Sequence, residues 1–160
     1  MKDALEFRPW LRWHGSLLVL LATMFLAPAL RAENMRVETV GLVKRVSGSV
    51  VVERAGKSLP VPLGFALQAG DVLTTAGSAS AGIILKDNSS VGVGPNSRYT
   101  IARFSFNAKT HEGVFASSLS KGTLSMISGK LARQSPDAVT VQTPATMLGV
   151  RGTEFVVEVP

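Results

Sequence analysis

A chain of 160 residues with 46% hydrophobic side chains and no cysteine is long enough for one buried core, which must stand without disulfides or thiolate-bound metal. Setting aside the four basic and two acidic residues before Glu33 takes the totals from 17 and 11 to 13 and 9, a net charge of +4 instead of +6. That excess is scattered, with Lys44 and Arg45 the only adjacent bases after Glu33 and no basic run interleaved with aromatics, which argues against a nucleic-acid partner.

The chain opens on MKDALEFRPWLRWHGSLLVLLATMFLAPALRA, where Lys2, Arg8 and Arg12 precede an apolar run from Leu17 to Leu30 and small residues stand at Ala27, Ala29 and Ala32. This is the order of a secretory signal peptide, whose apolar stretch of roughly 7–15 residues falls short of the about 20 that span a membrane comfortably. Residues 1–32 are therefore expected to be a signal peptide cut after Ala32 or Ala29. The alternative is an uncleaved N-terminal anchor with Trp10 and Trp13 at the membrane interface. Either way residues 33–160 are exported, and lipidation after the leader is excluded because it needs a cysteine.

From Val37 the pattern has period two. VGLVKRVSGSVVVER places Val40, Leu42, Lys44, Val46, Val50 and Val52 on one parity, as in a half-buried strand, with a bend or bulge at Gly48. Pro60 and Pro62 then forbid a central strand. Gly70-Asp71 is a turn, Val72-Leu73 a short strand, AGIILK and VGV two more, and the GPNS between VGV and RYTIARFSF reads as a hairpin turn. After the polar loop NAKTHEG, the segment VFASSLSKGTLSMISGKLA resumes extended structure around Gly122. AVTVQT alternates with Val139 and Val141 inward, and EFVVEV closes the chain. Gly, Pro, Ser and β-branched residues in every candidate window exclude a long amphipathic helix after residue 33. Turn signals recur about every ten residues, which predicts an all-β domain, either a short-strand solenoid or a double-sheet sandwich.

Few side chains suggest chemistry. Arg151, between Gly149 and Gly152, could clamp a carboxylate or phosphate, but a guanidinium capping turn carbonyls is the preferred reading. Asp71 could be an acid catalyst or a binding residue; it lacks a paired carboxylate nearby in sequence, and a turn role is preferred. His111 lies in a solvated loop without the companions of a catalytic triad or a zinc site. In the last strand Glu154, Val156 and Glu158 point outward, either to protect a sheet edge or to receive a partner strand. No catalytic residue, metal site or cofactor is expected, and a sugar site is disfavoured because both tryptophans lie in the leader.

Five segments then recur in a recognisable order: GSVVV at 48–52, LQAGDVLTT at 67–75, SAGIILKDNSSVGVGPNS at 80–97, KGTLS at 121–125 and VQTPATMLGVRGTEFVV at 141–157. Together they resemble the FecR domain, the periplasmic sensory module of iron-uptake anti-sigma regulators, which also occurs alone in exported bacterial proteins. The resemblance implies an all-β module at 33–160 that binds or senses something in the periplasm, or acts as a scaffold, without catalysis, and with an envelope protein as partner. Two departures stand out. About 16 residues precede the apolar run, too few for the regulators' cytoplasmic segment, and the sequence stops at Pro160, where the regulators continue into a further domain. A stand-alone exported module is expected, with membrane contact only if the leader stays uncut. The alternatives are a membrane-anchored regulator of the anti-sigma type and a polysaccharide-binding envelope protein.

Overall fold

Among the described residues, β-branched alternation and closely spaced turns give twelve strands. The computed structural model describes residues 38–150 and 154–160, so the leader expected at 1–32 lies outside the described residues. The strands are β1 (Thr39–Ser47), β2 (Val50–Arg54), β3 (Lys57–Pro60), β4 (Ala66–Gln68), β5 (Val72–Thr75), β6 (Ser80–Leu85), β7 (Ser90–Val93), β8 (Arg98–Phe106), β9 (Gly113–Ile127), β10 (Val139–Gln142), β11 (Met147–Gly149) and β12 (Glu154–Val159). One short helix, α1 (Lys130–Gln134), and a 3-10 turn at Pro136–Ala138 lie between β9 and β10.

The strands form two sheets that share β9. Its C-terminal half closes the series β4-β1-β6-β7-β9-β12, and its N-terminal half belongs to β3-β2-β5-β8-β9-β10-β11. Every ladder is antiparallel except β9 with β10. The fold is all-β, a curled and almost wholly antiparallel arrangement whose two sheets are continuous through β9. Both sheets turn one face to a common core: Val43, Leu67, Ile83, Leu124 and Met126 from the first, and Val52, Leu73, Ile101, Phe115, Leu119, Val139 and Val141 from the second. Each large apolar side chain fully buried there contributes about 1.5–3 kcal/mol.

The crossing between sheets is fixed at Gly122. Its φ of +90° is in the left-handed region, and a Cβ there would lie 2.5 Å from the Cα of Ser97. Ser97 and Thr75 pin the same point. The backbone N–H of Thr123 donates to Ser97 Oγ at 2.9 Å, the N–H of Ser97 donates to Thr75 Oγ1 at 2.9 Å, and that hydroxyl donates to the Gly94 carbonyl at 2.6 Å. These hydroxyls satisfy backbone groups that leave one ladder before joining the next.

This arrangement corrects several expectations drawn from the sequence. Residues 39–54 are two strands, because Gly48 turns the chain from the first sheet into the second with φ +71°. Within β1 a register shift between Thr39 and Gly41 moves the inward side from Val40 to Val43, leaving Leu42 outward and 36% exposed. A shift between Ile101 and Arg103 does the same in β8, so Tyr99, Ile101 and Phe104 all face inward. A bulge adds one residue to one strand and reverses the parity of everything after it. GPNS is a crossing between sheets, since β7 pairs with β6 and β9 while β8 pairs with β5 and β9. The end of the segment read as extended to Ala132 enters α1, where Leu131 is buried.

Tyr99 is buried, and among the described residues its hydroxyl has no hydrogen-bond partner. Burial pushes its phenol above the ordinary value; Ser117, which pulls the other way, does not reach it in hydrogen-bond geometry. The unfolded chain therefore ionises this phenol first, near the usual pH of about 10. The stability it supplies is complete below that pH and is lost as pH rises further. As the chain's only tyrosine, it reports directly: tyrosinate absorbance in an alkaline titration should rise together with the loss of far-ultraviolet dichroism, and Tyr99→Phe should move that unfolding to higher pH. A second test concerns the crossing. Gly122→Ala should cost about 2–5 kcal/mol in urea unfolding, from left-handed strain plus overpacking. Gly56→Ala, where φ is also positive at +76° but no atom lies within 4 Å, should cost about 1–2 kcal/mol.

Candidate partner-binding edge

Asp71 sits in the Gly70-Asp71 turn that leads into β5, and it is 1% exposed. Arg54, at the end of β2, reaches it side-on: Nε donates to Oδ1 at 2.7 Å and Nη2 to Oδ2 at 2.6 Å. Gln68 N–H donates to Oδ2 at 2.8 Å, and Arg54 also donates to the Ala66 carbonyl at 2.8 Å while its guanidinium lies 5.1 Å from the centroid of the Phe65 ring. The hydrogen bond to Asp71 is the main cause that raises the Arg54 pKa above its ordinary value. All of this ties the β2 end to the β4–β5 turn. The geometry gives Asp71 a bracing role in its turn; the sequence offered no sign of Arg54 as its partner.

Asp87 is used in the same manner at the β6–β7 hairpin. Its carboxylate accepts from the Ser89 N–H at 3.0 Å and the Ser89 hydroxyl at 2.7 Å, and Ser89 Oγ in turn accepts from the Gly129 N–H at 2.9 Å. His111 adopts φ +61° and stacks on Phe106 with ring centroids 6.0 Å apart. Among the described residues no three His, Asp, Glu or Cys side chains gather as a metal site would require. No helix among them is long and apolar enough to cross a membrane. Arg151 lies outside the described residues.

The outward set of the last strand is where the sequence places it. In β12 Glu154, Val156 and Glu158 are exposed, and Phe155, Val157 and Val159 are half-buried against the core. β12 is paired on one side with β9, Glu154 opposite Ile127 through Val159 opposite Gly122. Next to it, Leu148, Gly149 and Val150 together with Glu154 to Val157 of β12 line a cleft of about 360 Å³ in which Glu154 is the one charged side chain. The contribution of Leu148 and Val150 was invisible in the sequence, because the cleft exists only where the end of the second sheet meets β12.

The brace can be tested by dissection. Arg54→Ala leaves a buried carboxylate with one backbone donor and should cost about 2–4 kcal/mol in urea unfolding, below the full value for a buried pair because Arg54 is a quarter exposed. Arg54→Lys should recover little of it, since an ammonium cannot reproduce the side-on fork.

A family model described as FecR protein matches residues 71–159, more than half of the chain. A solved structure described as a cell surface anchoring domain is similar over 38% of this chain and 82% of its own length, with 29% identity and a TM-score of 0.37, a likeness too partial to inform the fold. No curated protein matches the chain. From the turn at Asp71 through the edge strand β12, the matched segment contains most of the first sheet and the whole of the shared strand β9, and the chain belongs to the FecR family.

Proposed function

We propose that this chain is an exported FecR-domain module of the bacterial envelope, which binds or senses a protein partner and carries out no catalysis. The observation that supports this most is the family match over residues 71–159. The way the domain spends its carboxylates agrees with it. General acid or base catalysis needs a carboxylate aimed at a reacting group, whereas Asp71 and Asp87 are committed to Arg54, to Ser89 and to turn amides. What the surface offers is a strand edge and a cleft beside it.

The leader sequence favours periplasmic release after cleavage, and the same apolar run from Leu17 to Leu30 supports a second reading, an anchored regulator facing the periplasm. Intact mass and N-terminal sequencing of the protein from fractionated cells separate them. A soluble periplasmic chain starting at Glu33 or Leu30 is the expected result. An intact Met1 in the membrane fraction would replace the free module by the anchored regulator.

A further inference from the structure

Four strands end the two sheets, and they are not equally guarded. β3 carries Lys57 and Pro60, and β4 and β11 have three residues each. β12 is six residues long, and among the described residues its backbone bonds only to β9, so a row of N–H and C=O groups on its other side is open.

Its side chains decide what fits there. Val156 is 67% exposed between Glu154 and Glu158. The exposed Glu38 and Glu53 are ion-paired, with Lys86 at 2.8 Å and Arg98 at 2.9 Å. Among the described residues Glu154 and Glu158 have no such cation. The opposite face presents Phe155 and Val157, half-buried, beside Leu148 in the cleft. A second copy is a poor occupant. Two β12 strands paired antiparallel about Val156 would set Glu154 of each against Glu158 of the other, and like charges directly opposite are destabilising.

We infer that β12 receives an extended segment of a partner protein whose side chains alternate apolar and basic. Residues directly opposite in an antiparallel pair share a face. Lys or Arg would lie across from Glu154 and Glu158, and the apolar set would fill the cleft at Phe155, Val157 and Leu148. The new backbone hydrogen bonds supply affinity, and the charge pattern supplies selectivity. This rests on the binding-module reading and specifies its partner class.

The probes are two blocked peptides, one alternating valine with lysine and one alternating valine with glutamate, titrated against the protein as purified from cells. The lysine peptide should bind about tenfold more tightly and slow amide exchange across 154–159. The double reversal Glu154→Lys with Glu158→Lys, both at exposed positions that leave the core intact, should invert that preference. A preference untouched by the reversal, protection mapped to another strand, or dimerisation through β12 in sedimentation would each overturn the inference. Crosslinking in cells separates it from the broader reading. If wild type and reversed variant capture the same envelope protein equally, a binding module remains and the β12 edge is not its site; if the variant alone loses that protein, both stand.

Discussion

One strand serving two sheets is the constraint on which this fold depends. β9 leaves the ladder with β8 and β10 and enters the ladder with β7 and β12, and the change takes place at Gly122. The left-handed backbone there brings the chain so near Ser97 that no side chain fits between them. A chain crossing between sheets releases backbone donors and acceptors from pairing, and each is costly if buried unmet. Ser97 and Thr75 meet them with hydroxyls, while the carbonyl of Thr123 receives the Gly94 N–H at 2.8 Å. Small hydroxyl side chains suit the position because they add hydrogen bonds with little volume.

The same economy explains the two buried carboxylates. Asp71 and Asp87 both lie in turns, where short acidic side chains bond backbone amides, and each also joins its turn to a distant element. Asp71 reaches β2 through Arg54, and Asp87 reaches the end of β9 through Ser89 and Gly129. Removing either carboxylate would loosen a turn and a long-range tie together. An isolated acid in a polar turn motif is for this reason a weak sign of chemistry.

A double-sheet domain must manage its ends. Where edges are short or bear proline and lysine, pairing with other chains is discouraged. Among the described residues β12 combines length, an open side and two glutamates without an ion-pair partner, so it rejects its own copy more than a strand of opposite charge. The adjoining cleft adds apolar surface, which the edge of a single isolated sheet lacks.

Alternating valines, regularly spaced turn residues and the absence of helical windows determined the all-β class, and five ordered motifs determined the family. Val139 and Val141 inward, and Glu154, Val156 and Glu158 outward, followed from period two because no bulge interrupts those strands. Strict period two fails at Leu42 and in the second half of β8 for the opposite reason, since a single inserted residue reverses the pattern without leaving a mark in composition. Only the tertiary structure decided that GPNS crosses between sheets, that Arg54 answers Asp71 seventeen positions away, and that β11 and β12 border one cleft. Local sequence sets the conformation of each strand and turn; which strands become neighbours depends on burying one face of every strand at once, a condition written over the whole chain.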